Sequence, residues 1–168
     1  MLLFKKLQGA GAAVPPRAPS KDVALAWLGG VLAIAAVAQL GDMLSMALLL
    51  GSFGASCVLI FGFPEAPFSQ PRSVLAGHLL SSLIGLIFLH LCGPHWWALA
   101  LAVGTAIAVM MLTRTVHPPA GSNPVIIFLT LPGWDFLLYP TLIGALLLVV
   151  VALIFNNTVR SAHYPKYW

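Results

Sequence analysis

Apolar runs long enough to cross a bilayer dominate this chain and leave it few ways to fold. Four stretches, about Val23–Leu40, Met43–Phe63, Ser73–Cys92 and Asp135–Phe155, fall in the range of roughly 17–25 mostly apolar residues that carries a helix through the hydrocarbon core. A fifth, His95–Leu112, opens on Trp96 and Trp97, rings suited to a headgroup boundary. Val116–Leu131 is apolar too, but Pro118, Pro119 and Pro124 interrupt it. It reads as a loop, a re-entrant hairpin or a discontinuous sixth crossing. A water-soluble fold is excluded, because only 7% of the 168 residues are charged, against about 25% in soluble domains. Disorder and a disulfide scaffold fall with it, since 60% of the residues are hydrophobic and two are cysteine. The net charge of +4 is scattered singly, so no basic stripe points to nucleic acid.

Charge placement selects six crossings. With a cytoplasmic N-terminus, the inner segments then hold Lys5, Lys6, Arg17, Lys21, Arg72, Arg114, Arg160 and Lys166, while the outer turns hold Asp42 and Asp135. Lys and Arg in short loops favour the cytoplasmic side, and five crossings would strand Arg160 and Lys166 outside. The expected plan is a flexible cytoplasmic lead (1–22, Gly9–Ser20 rich in Gly, Ala and Pro), a membrane domain (23–157) and a cytoplasmic tail (158–168). MLLFKK runs into Gly, Ala and Pro instead of an apolar core, so no cleavable signal is expected.

A shift of 67 residues lays Phe53–Phe61 (FGASCVLIF) on Ala120–Phe128 (AGSNPVIIF), Gly77 on Gly144, and Leu86-Ile87-Phe88 on Leu153-Ile154-Phe155. Three elements per half would place the second half (about 95–157) upside down relative to the first (about 23–92). That is the inverted-repeat plan of many transporters, whose sites form where broken helices meet near the midplane. The expected fold is therefore an all-α membrane protein of six helical elements, built as two inverted three-element repeats with a broken or re-entrant helix in each. Coincidence between two greasy helices is the bland alternative.

The expected breaks are Gly51-Ser52-Phe53-Gly54 and His117-Pro118-Pro119-Ala120-Gly121-Ser122-Asn123-Pro124. Proline removes an N–H donor and glycine weakens a helix, so each stretch should unwind and restart, with Ser56 and Asn123 near the new start. A helix N-terminus offers free N–H groups and partial positive charge, which suits a small anion. Irregular backbone at membrane depth must line a protein-enclosed or watery cavity. Asp22, Asp42, Glu65 and Asp135 all fall at span boundaries, leaving the interior without the carboxylate a cation carrier usually needs.

TRTVHPPAGSNPVI (Thr113–Ile126) and GSFGASCVLIFGFPEAPFSQPRSVLAGH (Gly51–His78) resemble the HPP family of integral membrane proteins, whose name is the His117-Pro118-Pro119 run. The likeness extends from about Val23 to Phe155. It implies a small bacterial, cyanobacterial or plastid membrane protein, with nitrite transport attributed to some members. Some members add C-terminal CBS domains, for which this chain is too short. The family is described with four transmembrane segments where the residues here read as six, and Ser122 stands where Ala is also expected.

The candidate substrate-binding residues are Ser52, Phe53, Gly54, Ala55, Ser56, Arg114, His117, Pro118, Pro119, Gly121, Ser122 and Asn123. His117 reads as an anion contact or proton-linked gate, or merely as a helix stop. Arg114 reads as a boundary anchor or an anion contact. The serines and Asn123 bind solute or cap half-helices. Phe53 and Phe61 pack, Phe53 being the better constriction. His78 and His90 read as bundle-interior contacts, without metal spacing. Cys57 and Cys92 lie too far apart in depth to pair. Trp96, Trp97 and Trp134 form an outer aromatic belt, and Tyr164, Tyr167 and Trp168 an inner one. No cofactor and no catalytic residue are expected: the one thinkable pair, His117 with Ser122, lacks an acid to orient it. The expected partners are the lipid bilayer, a small inorganic anion and further copies of the chain, in a bacterial inner membrane with both termini cytoplasmic. A structural or regulatory subunit of another transporter is the rival.

Overall fold

The computed structural model describes Leu7 and residues 11–168; Lys5, Lys6 and the start of the expected N-terminal lead lie outside the described residues. Six helices form, α1 (Ser20–Leu44), α2 (Gly51–Gly62), α3 (Pro71–Cys92), α4 (Trp96–Leu112), α5 (Asn123–Thr130) and α6 (Ile143–Val159). No strand is found among the described residues. The last turn of α2, Val58–Gly62, widens to a π-helix. Short 3₁₀ turns precede α3 (Pro67–Ser69) and α5 (Pro118–Ser122), and a 3₁₀ turn and a π turn lead into α6. Three helical stretches are long and apolar enough to cross a membrane: Ser20–Leu44, Pro71–Cys92 and Trp134–Val159.

Local chemistry sets most of the boundaries. α1 carries Asp22 in its first turn, where a carboxylate complements the helix dipole. It ends at Ser45, with φ of 53°, and the Met46 N–H turns back to the Gly41 carbonyl at 2.9 Å, a Schellman-type closure. α3 starts on Pro71 and stops at Gly93, with φ of 77°, the usual Pro-start, Gly-stop asymmetry.

Polar contacts gather one set of termini at a single end. Arg160 pairs with Asp22 at 3.1 Å and Lys166 with Glu65 at 3.0 Å, tying the start of α1, the α2–α3 loop and the C-terminal tail together. Arg72, at the start of α3, donates to the Thr113 carbonyl just past α4. This basic end holds Lys21, Arg72, Arg114, Arg160 and Lys166. At the opposite end His90 stacks on Trp134, with ring centroids 4.8 Å apart, and Ser45 shares a cleft with Asp135.

The packing crosses between halves. α1 lies against α6 and α2, whereas α4 lies against α3 and α5. A methyl on Gly77 of α3 would sit 3.1 Å from the Thr115 carbonyl oxygen, and one on Gly144 of α6 would sit 3.1 Å from the Leu48 carbonyl oxygen. Thr115 and Leu48 are separated by the same 67 positions as the two glycines. Gly29 likewise admits Phe61, and Gly85 admits Ile127 and Pro124.

Several expectations are corrected. The first break is not within Gly51–Gly54: the helix runs through Phe53 and the irregular stretch is Met46–Leu50. Ser56 is consequently the sixth residue of α2 and not close to its start. α1 begins at Ser20, three residues before the expected span. His90 is exposed rather than interior, its ring bonded to the Leu86 carbonyl. Tyr164 is buried instead of belting the surface, and its hydroxyl donates to the Ser69 carbonyl at 2.8 Å. Cys57 and Cys92, expected not to pair, are both free.

Candidate functional site

Two chain segments arrive non-helically and become helical beside the buried residues Ser52 and Asn123. On the first-half side, Met46–Leu50 is followed by α2, with Leu50 extended (φ −112°, ψ 142°) and no side-chain cap. The first N–H groups, those of Gly51 and Ser52, are therefore uncapped. On the second-half side Arg114, with φ of 57°, turns the chain out of α4. His117 is held extended (φ −134°, ψ 97°), as a residue before proline must be. Pro118 and Pro119 open the 3₁₀ turn that leads into α5. Their missing N–H groups leave this terminus poorer in donors than that of α2.

The two segments meet through side chains at a seam. Ser56 Oγ lies 2.8 Å from His117 Nε2 and 3.0 Å from His78 Nε2, and also 3.0 Å from the Ser52 carbonyl oxygen. His117 Nδ1 lies 2.7 Å from the Phe68 carbonyl oxygen. Asn123 Nδ2 faces His78 Nδ1 at 3.1 Å and Ser82 Oγ at 2.9 Å, and Ser82 meets Thr141 of the lead into α6 at 3.1 Å. Ser56, His78, Ser82, His117, Asn123 and Thr141 are all fully buried. Phe53 closes one side, edge-on to His78 with centroids 5.2 Å apart. α3 rises about 33 Å over its length, which places Ser82 near its middle. The polar row thus runs from the basic end to mid-bundle.

Two buried polar atoms here have no partner, Ser52 Oγ and Asn123 Oδ1. Apart from the Tyr164 phenol, the buried polar side chains of the described residues are Ser, Thr, Asn, Gln and His, with no carboxylate among them. The hydroxyl, amide and imidazole groups, beside an uncapped helix start, include donors that can receive a small anion, while the unpartnered Asn123 Oδ1 is an acceptor. Among the described residues no group of three His, Cys, Asp or Glu side chains could hold a metal.

The candidate residues divide in two. Ser52, Phe53, Ser56, His117, Pro119 and Asn123 are buried at or beside the seam; Gly54, Ala55, Arg114, Pro118 and Ser122 are exposed and Gly121 half-buried. Ser122 donates to the Pro119 carbonyl and not to His117. Phe53 fills the space at Gly144, so it packs. His78, Ser82 and Thr141 escaped sequence reasoning as site residues. Gly77, which admits His117 against α3, stands one residue before His78 and was the one available signal. An open cleft of about 860 Å3 at the basic end is lined by Lys21, Asp22, Phe63, Glu65 and Arg160. Smaller clefts of about 280 and 330 Å3 lie at the opposite end.

An all-helical bundle with three membrane-length apolar helices and a buried polar seam defines this chain as an integral membrane protein. The HPP transmembrane-region model matches residues 15–165, and the chain belongs to the HPP family. Two Dictyostelium discoideum proteins, each named only as a transmembrane protein, are similar to it. One is 35% identical over 178 residues, covering 98% of this chain and 62% of the relative. The other is 35% identical over 177 residues, covering 98% and 57%. The chain thus spans about 60% of the length of the curated relatives it matches. No solved structure matches.

Proposed function

We propose that this chain moves a small inorganic anion across a membrane, along the seam between α2 and α5. The observation that carries the reading is the uncapped start of α2 at Gly51 and Ser52, with the unpartnered Ser52 hydroxyl, in an interior whose polar groups include no carboxylate. Partial positive charge and free N–H groups favour an anion there. Nitrite is the first solute to test, on the strength of the family resemblance alone.

The inverted-repeat plan belongs to this proposal. It is supported by the paired close approaches of Gly77 to Thr115 and Gly144 to Leu48, and by the exchange in which α1 takes α6 while α4 takes α3. Under that plan the chain crosses six times, α2 and α5 each crossing half as helix and half as irregular chain, with the basic end cytoplasmic. Self-association belongs to it too: Gly51, Gly54 and Ala55 leave one face of α2 exposed, with nothing near Gly51 or Gly54.

A non-enzymatic role is proposed as well. Ser56, His117 and the Phe68 carbonyl have the connectivity of a nucleophile with its base, but Ser56 is fully buried and shares its hydroxyl with His78. Labelling of Ser56 by a fluorophosphonate would reverse this.

The experiment is anion flux into proteoliposomes containing only this chain, comparing nitrite, nitrate, formate, chloride and sodium. The expected result is nitrite uptake, lost in Ser52→Leu and Asn123→Leu protein that still elutes as the wild type does. Sodium flux without anion flux, or no flux at all, would overturn the reading, the latter favouring a structural subunit.

A further inference from the structure

We propose that the seam also carries a proton, held alternately on His78 and His117 with the Ser56 hydroxyl passing it between them. The proposal rests on the transport reading for its solute, and on hydrogen-bond geometry for the proton. A carbonyl oxygen only accepts, so the 2.7 Å contact to Phe68 requires His117 Nδ1 to carry hydrogen. Neutral His117 therefore presents a bare Nε2 to Ser56 and accepts the hydroxyl proton across 2.8 Å. Asn123 Nδ2 donates to His78 Nδ1, so neutral His78 carries its hydrogen on Nε2 and donates it to Ser56 Oγ across 3.0 Å. Every bond in the row then points one way, from Asn123 through His78, Ser56 and His117 to the Phe68 carbonyl.

The same atoms accommodate one more proton without moving. If His117 gains hydrogen on Nε2, it donates to Ser56 Oγ, and the Ser56 hydroxyl turns to its other acceptor, the Ser52 carbonyl at 3.0 Å. Both His117 nitrogens are then satisfied donors, and Ser56 Oγ still accepts from His78. If the proton sits on His78 instead, Nδ1 needs an acceptor. The Asn123 amide supplies one by rotating, because its Oδ1 is buried with no partner. Ser82 can donate or accept with equal ease, so that rotation keeps the Ser82 contact and gives up only the 3.3 Å bond from Asn123 Nδ2 to the His78 carbonyl. In passage from His78 to His117, His78 Nε2–H goes to Ser56 Oγ while the Ser56 hydroxyl proton goes to His117 Nε2. His78 is left with its hydrogen on Nδ1, against the rotated Asn123 amide oxygen. Its bare Nε2 accepts from Ser56 until the Asn123 amide turns back and the His78 proton returns to Nε2. His117 is fully buried, so release of Nδ1–H requires the exposed turn that holds Phe68 to open and let water replace its carbonyl at Nδ1. Ser52 links proton to solute, because its carbonyl takes the Ser56 hydroxyl while its own hydroxyl and N–H belong to the proposed anion site.

No other charge competes at the seam. α2 contributes no ionisable group beyond Cys57, which lies near Gly30 of α1. α3 contributes His78 and, at its start, Arg72, which is engaged with Thr113. The α4 exit contributes exposed Arg114, α5 and α6 (Ile143–Val159) have none, and the tail brings Tyr164, bonded to Ser69.

The test uses the full chain in proteoliposomes with an internal pH dye, nitrite outside and an imposed pH gradient. Protein-free vesicles set the background from passive nitrous acid. The expected result is one-for-one uptake of protons with nitrite. After the protein-free uptake of both species is subtracted, the ratio of protons to nitrite falls from about one in the wild type toward zero in Ser56→Ala protein. Ser56→Thr, which keeps the hydroxyl, restores it and guards against a folding defect. Protein-mediated nitrite uptake with no protons, or an unchanged ratio in Ser56→Ala, overturns the relay and leaves anion transport standing. If no anion moves at all, the transport reading fails, and the relay is judged by proton uptake driven by a valinomycin–potassium potential in the same vesicles. Uptake above background that Ser56→Ala abolishes supports it; uptake at background, or unaffected by the substitution, overturns it.

Discussion

Single residues at the seam are fixed by close approach. A methyl on Gly77 would meet His117 Cβ at 2.8 Å and the Thr115 carbonyl at 3.1 Å, distances that backbone atoms cannot relieve cheaply. Gly77→Ala is therefore expected to lower thermal stability in detergent by about 1–3 kcal/mol, the range for overpacking. Gly54→Ala meets nothing and is expected to be neutral or to stabilise α2 by up to about 1 kcal/mol. Equal effects at the two positions would contradict the packing. Tyr164 yields a pH prediction. Burial pushes its phenol well above the usual tyrosine range, so the folded state favours the protonated form. The bond to Ser69 then contributes fully below about pH 10, the ordinary value, and is lost as pH rises through the raised one. Tyr164→Phe should cost about 1 kcal/mol at neutral pH, with the gap to wild type closing only in strong alkali.

At the scale of elements, the two breaks differed in how readable they were. Pro118, Pro119 and Pro124 announce the second, because proline restricts its own φ and the residue before it. The first was misplaced. Met46-Ala-Leu-Leu-Leu50 is built of strong helix formers, yet it is irregular, folded back so that the Met46 carbonyl comes within 2.8 Å of where a Gly41 methyl would be. Tertiary contact overrides local preference there, and no periodicity within 46–50 reports it. Hydropathy located the long helices well because burial in lipid is compositional. It could not reveal that His78 and His117 meet, since their partners lie 22 and 61 positions away on α2. α2 also depends on α6 at its far end: Asn156 donates to the Ile60 carbonyl at 3.2 Å and Arg160 to the Phe61 carbonyl at 2.8 Å. Asn156→Leu should leave the Ile60 carbonyl unpaired and lower the melting free energy by about 1–3 kcal/mol. An unchanged melting point would show that the widened last turn of α2 satisfies itself.

For the whole molecule, charge and packing tell one story. The ion pairs Arg160–Asp22 and Lys166–Glu65 gather the start of α1 and the C-terminal tail at the basic end, and Asp42 lies at the other end of α1. Cysteines introduced at Asp42 and Ser161, in a chain lacking Cys57 and Cys92, should therefore react with impermeant maleimide from opposite sides of the membrane. Labelling from the same side would end the six-crossing arrangement. Beneath the topology lies the claim that the start of α2 holds an anion. Anomalous diffraction from crystals grown in bromide tests that claim most directly, since bromide is small, anionic and locatable. The account predicts a bromide peak within hydrogen-bonding reach of the Gly51 and Ser52 N–H groups and the Ser52 hydroxyl. Bromide found only in the cleft between Lys21 and Arg160, with nothing at Gly51 and Ser52, would contradict it.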